Sequence, residues 1–319
     1  MKKFALLGAS GYIAPRHMKA IKETGNSLVA ALDPYDGIGI MDNNFPEAYF
    51  FKEFERFDRF VDKWHRDNSK KIDYMSICSP NYLHDSHIRF ALKSDAEVIC
   101  EKPLVLNPWN IDQLKKIECE TGKKVYNILQ LRLHPSIVSL KEKVTKEIKK
   151  DPDKTYNIDL TYITSRGKWY FVSWKGDEAK SGGIASNIGV HFYDMLCWIF
   201  GDIEENIVHI KTVDINSGSF KLKHANVRWF LSVNYDYIPK DVKARGERTY
   251  RSIIIDGEEI EFSNGFTDLH TRSYEEILKG NGFGLDKAYS SVRIISEIRH
   301  LSPIGINGDY HPLCKKVIV

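Results

Sequence analysis

Short apolar runs alternate with stretches of helical periodicity through the first 127 or so residues of this 319-residue chain. Residues 4–7 are typical of a strand buried on both faces, and residues 15–24, followed by Gly25, are typical of a helix with a glycine end signal. This alternation predicts a parallel sheet, because each helical crossover returns the chain to the same end of the sheet and covers one of its faces. The predicted strands are residues 4–7, 28–32, 72–78, 97–100 and 125–129, and the predicted helices include 15–24, 86–93 and 108–120.

After residue 130 the pattern changes, and strands follow one another with few intervening helices. Asp256-Gly257 lies between two such runs and is typical of a two-residue hairpin turn. We therefore predict an α/β doubly wound domain at residues 1–129 and an α+β domain with a mostly antiparallel open sheet at residues 130–319. Strands are predicted at residues 156–163, 206–215, 219–223, 227–234, 251–255 and 258–262, and helices at 136–149, 190–200, 274–278 and 285–300.

The charge balance argues against a nucleic-acid partner. The 46 lysines and arginines are offset by 43 acidic residues. Even the most basic run, residues 141–150, is interrupted by Glu142 and Glu147. The sequence therefore contains no uncompensated basic stripe that would neutralise phosphates.

The cysteines and the first residues bear on where the protein works. Five cysteines are spread without a CxxC pair or a Cys/His cluster at zinc spacing, which favours free thiols in a reducing cytoplasm and predicts no metal site. The start Met1-Lys2-Lys3 resembles a secretory signal, but the apolar run after it ends at Gly8, so we expect no export. We also expect no membrane partner, because no segment reaches the roughly 18 apolar residues of a spanning helix.

A glycine-containing turn at residues 8–14 (GASGYIA) lies between the first predicted strand and helix. Small residues at this place let the backbone approach a pyrophosphate, whose charge is met by N–H groups at the helix N-terminus. The spacing departs from G-x-G-x-x-G, but one extra residue in the turn makes Gly8, Gly11 and Ala14 the points of close approach. An ordinary turn is the alternative. The turn residues predicted to bind a dinucleotide are Gly8, Ser10, Gly11, Tyr12 and Ile13.

Asp33 supports the dinucleotide interpretation. It ends the second strand about 22 residues after Gly11, where a carboxylate accepts hydrogen bonds from an adenosine ribose. Neither arginine nor lysine lies beside Asp33 to hold a 2′-phosphate, so we predict NAD rather than NADP. A carboxylate that caps the next helix is the alternative for Asp33.

Lys102 follows the predicted strand 97–100 in the sequence Glu101-Lys102-Pro103. Doubly wound sheets bind their ligands beyond the carboxyl ends of their strands, which is where this ammonium falls. Partial burial there would lower the pKa of Lys102 towards the range of acid–base catalysis. A structural ion pair with Glu101 is the alternative.

Taken in order, these motifs resemble the glucose–fructose oxidoreductase, inositol dehydrogenase and rhizopine catabolism family of NAD(P)-dependent sugar oxidoreductases. The resemblance covers the whole chain and implies a Rossmann NAD domain. Its motifs are the glycine turn, Asp33, CSPNYLH at 78–84, EKP at 101–103 and NIGVHFYD at 187–194. The segments ITSRGKWY at 163–170, SWKGD at 173–177 and TYRS at 249–252 look most similar to the UDP-N-acetylglucosaminuronic acid 3-dehydrogenases of bacterial surface-polysaccharide (O-antigen) synthesis.

The resemblance implies that Lys102 and His191 flank the sugar carbon from which nicotinamide takes a hydride. A secondary alcohol releases a hydride only if its proton also leaves, and a neutral lysine or histidine within hydrogen-bond reach can accept that proton. The resemblance also places five residues at the cofactor: Ser79, Asn81, His84, Glu101 and Lys102. For His84, a structural role is the alternative.

Asn187 sets this chain apart from relatives that act on neutral polyols, which usually carry aspartate at this position. An amide can donate a hydrogen bond to a substrate carboxylate that an aspartate would repel, so Asn187 favours a uronic acid. It also leaves His191 without a local carboxylate, so we rank Lys102 ahead of His191 as the base. Arg166, Trp169, Tyr170 and Lys175 lie in the stretch between the predicted strand 156–163 and His191. For these residues the alternative is a solvated loop whose aromatic side chains anchor it to the core. The predicted substrate residues are Lys102, Arg166, Trp169, Tyr170, Lys175, Asn187, His191, Tyr250 and Arg251.

The predicted function is NAD-dependent oxidation of the C3 hydroxyl of UDP-N-acetylglucosaminuronic acid (UDP-GlcNAcA). The resemblance also allows 2-oxoglutarate to reoxidise bound NADH, and it implies a homotetramer. Two alternatives stay open, namely another NAD-dependent sugar or polyol dehydrogenase of the family and a non-catalytic NAD-binding sensor. Residues 266–271 (FTDLHT) also resemble the closer relatives, and their role stays open.

Overall fold

A computed structural model describes residues 1–66, 71–260 and 268–317. The described residues form two compact units, the first within residues 1–130 and 268–289 and the second within residues 131–260 and 290–317. Residues 268–289 thus fold with the first unit. The assignment of separate functions to residues 1–129 and 130–319 stays a prediction. Residues 261 and 262 of the last predicted strand, and residues 266 and 267 of the FTDLHT motif, lie outside the described residues.

The first unit is built on a parallel sheet of six strands. These are β1 (Lys3–Leu7), β2 (Ser27–Leu32), β3 (Tyr49–Phe51), β4 (Tyr74–Ile77), β5 (Glu97–Cys100) and β6 (Val125–Asn127). Their order, β3-β2-β1-β4-β5-β6, confirms the doubly wound prediction. Because the winding direction reverses between β1 and β4, a ligand crevice is expected at the carboxyl ends of these two strands.

Within the described ranges, five helices connect these strands. They are α1 (Ala14–Glu23), α2 (Ile38–Asn44), α3 (Phe54–Arg66), α4 (His84–Lys93) and α5 (Pro108–Thr121). The apolar pattern did not predict β3, α2 or α3. Strand β3 has only three residues, and the fully buried side chains of α3 are just Phe57 and Val61, in a segment rich in charge.

The second unit is built on a mixed sheet. Its strands are β7 (Tyr156–Thr164), β8 (Ile203–Lys211), β9 (Ile215–Leu222), β10 (Ala225–Ser232), β11 (Thr249–Ile255) and β12 (Glu258–Glu259). In the order β12-β11-β7-β10-β9-β8, β7 and β10 pair in parallel and the other neighbours run antiparallel, which confirms the predicted class. Asp256 and Gly257, with φ of 49° and 87°, form the predicted two-residue turn between β11 and β12.

The predicted strand 206–215 is wrong at its end. Strand β8 stops at Lys211, and a turn at residues 212–214 leads into β9. In this turn the Ile215 amide donates to Thr212 Oγ1 (3.0 Å), and Thr212 Oγ1 donates to Asp214 Oδ1 (2.8 Å). Val213 and Ile215 keep the segment rich in β-branched apolar residues, so composition conceals the turn, although the apolar positions shift from 208 and 210 to 213 and 215 across it.

Seven further helices follow in the part of the chain that the structure describes. They are α6 (Pro135–Lys150), α7 (Trp169–Val172), α8 (Glu178–Ser181), α9 (Val190–Phe200), α10 (Lys240–Ala244), α11 (Leu269–Leu278) and α12 (Leu285–His300). Helix α9 is buried almost all round, and its Tyr193 packs edge-on against Trp229 of β10. Among the described residues, no helix has both the length and the apolar character that crossing a bilayer requires.

Helix α11 supplies part of the core of the first unit. The ring of Tyr274 stacks on Phe4 of β1 with ring centroids 5.8 Å apart, and its hydroxyl lies 2.6 Å from Ser76 Oγ of β4. Ile277 of α11 belongs to the same apolar cluster. The first 130 residues therefore share their core with a segment from much later in the chain.

A buried ion pair lies in the second unit. The Arg132 guanidinium donates from Nε to Asp194 Oδ2 (2.9 Å) and from Nη2 to Asp194 Oδ1 (2.7 Å). Both side chains are almost inaccessible to solvent, and the guanidinium also lies over the ring of Trp198. Asp194 is one helical turn after His191, so this pair fixes the part of α9 that carries the predicted catalytic histidine.

Candidate active site

The predicted cofactor turn lies at the carboxyl end of β1, beside the end of β4. Gly8 has φ of +91°, and a Cβ placed there would lie 2.5 Å from the carbonyl carbon of Cys78 and 2.6 Å from the Ser79 amide nitrogen. The Gly11 amide donates to the Gly8 carbonyl (3.2 Å), which tightens the turn before α1 begins at Ala14. The turn therefore lacks the side-chain bulk that would keep a pyrophosphate away from its backbone.

Gly8→Ala is expected to lower the free energy of unfolding by more than Gly25→Ala. Both glycines have positive φ, which costs another residue about 1–3 kcal/mol, but only Gly8 also faces backbone at contact distance. Gly25 faces open space. Urea denaturation of the two variants measures the difference. Equal losses would show that backbone contact at the turn is unimportant.

Asp33 lies immediately after β2 and is buried. Its Oδ2 accepts a hydrogen bond from the Ser10 amide (2.9 Å), and its Oδ1 accepts one from the Tyr35 amide (2.9 Å). A carboxylate oxygen has two lone pairs, so each oxygen keeps one acceptor site for a ribose hydroxyl. The structure thus brings Asp33 to the glycine turn, where an adenosine ribose would lie.

Tyr12 and Ile13 complete the set of turn residues predicted to bind the cofactor. Tyr12 is exposed, and Ile13 is partly buried against the apolar core of the first unit.

Lys102 is half-buried just beyond the end of β5. The peptide before it is held on both sides. Asn127 Nδ2 donates to the carbonyls of Cys100 (3.0 Å) and Glu101 (3.2 Å), and the Lys102 amide donates to Glu101 Oε2 (3.1 Å). The strand end therefore presents Lys102 from a firmly fixed backbone.

His84 joins the loop after β4 to the loop after β5. Its Nδ1 lies 2.7 Å from the Pro103 carbonyl and its Nε2 lies 2.8 Å from the Ser79 carbonyl. Burial lowers the pKa of His84. Ser79 Oγ is hydrogen bonded to His87 Nδ1 (2.9 Å), and Asn81 is buried in the short turn after β4. These contacts make His84 a structural link, and its contact with the cofactor stays a prediction.

Two histidines that the sequence did not single out contact Glu101. His17 of α1 and His270 of α11 lie 3.0 and 2.9 Å from Glu101 Oε1 through their Nε2 atoms. His17 lies one turn inside the helix that follows the glycine turn, and His270 belongs to the FTDLHT motif. Neither contact could be predicted from the sequence, because both histidines are far from Glu101 along the chain. The one sequence signal that pointed to His270 was the resemblance of the FTDLHT motif to the closer relatives.

In the second unit, a π-helical turn, Ala185–Gly189, carries Asn187 and leads into His191 at the start of α9. Such turns are rare in proteins overall, and those that occur are often found at functional sites. Asn187 Nδ2 donates to Tyr170 Oη (3.1 Å) and to the Lys175 carbonyl (3.1 Å). Asn187 therefore fixes the loop that contains α7, and donation to a substrate carboxylate stays a prediction.

Lys175 lies near two indole rings. Its Nζ is 5.6 Å from the ring centre of Trp169 and 5.5 Å from that of Trp174, which is within the range of cation–π attraction. Tyr170 is buried beneath this loop, and burial raises its pKa. Together with Asn187, the structure thus brings four of the predicted substrate residues into one cluster.

Three other predicted substrate residues are Arg166, Tyr250 and Arg251. Arg166 is exposed after β7, and its charge opposes the rise that burial causes in the pKa of Tyr170, so it lies near the cluster. Tyr250 and Arg251 are neighbours on β11, so their side chains point to opposite faces of the sheet. Arg251 lies over the ring of Tyr162, whose face of the sheet carries α9, whereas Tyr250 packs in the apolar cluster on the other face. Of the two, Arg251 shares the face that carries His191.

The sequence matches two family models. Residues 2–128 match the oxidoreductase family model that describes an NAD-binding Rossmann fold, and residues 154–237 match the model for its C-terminal alpha/beta domain. Together they cover well over half of the chain. The chain belongs to this oxidoreductase family. The match confirms the resemblance inferred from the motifs, and the first unit is an NAD-binding Rossmann domain.

Two solved structures resemble the whole chain. Both are of the WlbA (WbpB) dehydrogenase from Thermus thermophilus. The one in complex with NAD and alpha-ketoglutarate is 50% identical with a TM-score of 0.94, and it covers 98% of this chain and 100% of that one. The one in complex with NAD and UDP-GlcNAcA is 49% identical with a TM-score of 0.93 and the same coverage.

Curated relatives match over shorter stretches. The D-glucoside 3-dehydrogenase of Escherichia coli is 29% identical over 135 residues, which is 41% of this chain and 36% of that protein. The glucose-6-phosphate 3-dehydrogenase of Bacillus subtilis is 23% identical over 208 residues, 63% of this chain and 54% of that protein. The chain thus matches about a third to a half of the length of these relatives.

Proposed function

We propose that this protein is an NAD-dependent dehydrogenase that oxidises the C3 hydroxyl of UDP-GlcNAcA to the 3-keto sugar. The observation that carries the proposal is the likeness, over the whole chain, to the Thermus thermophilus dehydrogenase in complex with NAD and UDP-GlcNAcA. The cofactor turn, Asp33 and Lys102 support it, because they lie at the carboxyl ends of β1, β2 and β5 of the Rossmann sheet.

Lys102 is the proposed proton acceptor. Bound NAD supplies the hydride acceptor for the reaction. A neutral Lys102 amine takes the hydroxyl proton of the substrate, and the resulting ammonium stabilises the oxygen as it becomes a carbonyl. His191 is the second candidate for this proton. Gly8, Ser10, Gly11 and Asp33 would hold the pyrophosphate and the ribose of the cofactor.

The cluster around Lys175 is the proposed site for the acidic part of the substrate. It combines an ammonium with indole faces, which suits a carboxylate or a diphosphate next to a sugar or uracil ring. Asn187 holds the backbone of this cluster through the Lys175 carbonyl. Arg251 is a further candidate, on the face of the sheet that carries α9.

Substrate preference tests the proposal. We expect kcat/KM for UDP-GlcNAcA to exceed that for UDP-N-acetylglucosamine by about 100-fold or more, because only the acid fills a site built for a carboxylate. Initial rates of NADH formation with the purified protein measure the ratio. Equal rates would favour another sugar dehydrogenase of the family. A complete lack of hydride transfer over a panel of nucleotide sugars would favour an NAD-binding sensor.

We also propose that 2-oxoglutarate reoxidises the bound cofactor, by taking up a hydride and a proton to give a 2-hydroxy acid. The proposal draws on the relative in complex with NAD and alpha-ketoglutarate. Loss of the absorbance of reduced nicotinamide after 2-oxoglutarate is added to the purified protein is the corresponding measurement. A cytoplasmic homotetramer remains part of the proposal, and sedimentation analysis measures that assembly.

A further inference from the structure

A chain of buried polar side chains crosses the first unit and is not used by the proposed chemistry. It runs from Ser76 on β4 through Tyr274 on α11 to His17 on α1, and from there to Glu101 after β5 and His270 on α11. All five residues are at most 5% exposed. Buried polar groups of this kind are costly unless every one has a partner, so the chain calls for a role.

The protons of this network can be assigned in one direction. The Ser76 hydroxyl donates to Tyr274 Oη (2.6 Å), and the Tyr274 hydroxyl donates to His17 Nδ1 (2.7 Å). His17 then carries its proton on Nε2 and donates it to Glu101 Oε1 (3.0 Å). His270 donates to the same oxygen from its Nε2 (2.9 Å). Each donor in the chain thus meets one acceptor.

This assignment makes Glu101 a carboxylate. Burial alone would raise the pKa of Glu101, but hydrogen bonds from His17 and His270 outweigh burial and hold that pKa well below its usual value. Burial lowers the pKa of His17, which keeps its ring neutral despite the nearby carboxylate. A buried anion is therefore held between imidazole donors.

The second oxygen of Glu101 faces the proposed catalytic residue. Glu101 Oε2 accepts the hydrogen bond of the Lys102 amide (3.1 Å), while Asn127 holds the Glu101 carbonyl on the other side of the peptide (3.2 Å). A rotation of the Glu101 side chain would release the Lys102 amide. The two histidines oppose that rotation, because both bind the other carboxylate oxygen.

We propose that His17 and His270 are positioning residues that, through the Glu101 carboxylate, fix the backbone from which Lys102 acts. The proposal rests on the assignment of Lys102 as the proton acceptor. It gives His270 of the FTDLHT motif a function, and it links the helix after the cofactor turn to the strand end that carries the lysine. Displacement of a catalytic group by about 1 Å commonly costs on the order of 100-fold in rate.

The same three side chains raise the question of a metal ion. His17, Glu101 and His270 offer ligand atoms within 4.8 Å of one another. Metal binding would need both Nε2 atoms without protons, whereas the hydrogen-bond assignment above gives each of them a proton that it donates to Glu101 Oε1. We therefore assign the cluster as a proton-bearing network, and metal content is one outcome of the test.

His270→Met tests the role, with Thr271→Val as the matched control on the same helix. Met removes the donor but keeps the bulk, and the Thr271 hydroxyl donates a surface hydrogen bond to Glu23. We expect His270→Met to lower kcat by about tenfold or more with little change in the affinity for NAD, and Thr271→Val to leave both nearly unchanged. His270→Gln, whose amide can replace the Nε2 donor, is expected to restore most of the lost kcat.

A second readout does not depend on activity. Hydrogen exchange of the Lys102 amide should accelerate by about tenfold or more in His270→Met, because its acceptor is no longer held in place, and less in His270→Gln. If wild type shows no turnover, the proposed function fails while this readout still decides the positioning role. Unchanged exchange and unchanged kcat in folded His270→Met would overturn the proposal. Stoichiometric zinc or iron in the purified wild-type protein would also overturn it, in favour of a metal site.

Discussion

Lys102→Met is expected to reduce turnover by about two to four orders of magnitude, which is the usual contribution of a positioned acid–base group. Met has nearly the length of lysine but cannot accept the proton of the substrate hydroxyl. The cofactor turn and Asp33 are untouched by the change, so the affinity for NAD should stay close to that of wild type. Initial rates with UDP-GlcNAcA and calorimetric titration with NAD measure the two quantities separately.

Lys93→Met is a suitable control for this substitution. Lys93 is an exposed lysine at the end of α4, and it should tolerate the change without loss of turnover. Near-normal activity of Lys102→Met would instead point to His191 as the base. Loss of NAD binding along with activity would show that Lys102 acts through the cofactor site.

Asp194→Leu is expected to lower the free energy of unfolding by about 3–5 kcal/mol, because it leaves the Arg132 guanidinium buried without its partner. Burial raises the pKa of Asp194, against the opposing attraction of Arg132. Burying the pair thus costs desolvation free energy, and removing one partner costs more, because the other charge stays buried without compensation. Urea denaturation of the purified variant measures the loss.

Two comparisons make this prediction specific. Asp241→Leu breaks the exposed Arg245–Asp241 pair and should cost less than about 1 kcal/mol. The double variant Arg132→Met with Asp194→Leu removes both buried charges and should regain most of the stability that the single variant loses. A single variant as stable as the exposed control would contradict the role assigned to the buried pair.

Local pattern predicted most of the fold. The strands next to the site, such as β1 and β5, are short apolar runs whose ends are marked by Gly8 and Pro103, so their carboxyl ends could be placed from sequence. Asp33 and Lys102 follow such ends directly, and the structure places them there. The turn after β8 was missed because Val213 and Ile215 keep the segment rich in β-branched apolar residues, although the alternation shifts by one residue there.

Contacts between distant segments could not be predicted in this way. His17 and His270 reach Glu101 across 84 and 169 residues of chain, and the periodicity of each helix says only which residues face inwards. The separation of Tyr250 from Arg251 follows from strand alternation alone, but the face that carries α9 becomes known only when the sheet is seen. Side-chain partners therefore need the structure, whereas strand ends do not.

The contribution of α11 to the core of the Rossmann unit also affects how the protein is made. A ribosome releases the chain from its amino end, so the six parallel strands emerge well before Tyr274 and His270 are available to pack against them. The dinucleotide domain can therefore be completed only after the first and larger segment of the other unit, which begins at residue 131, has been synthesised. Exchange of this domain between homologues by recombination would for the same reason need three crossover points, one near residue 130 and one on each side of residues 268–289.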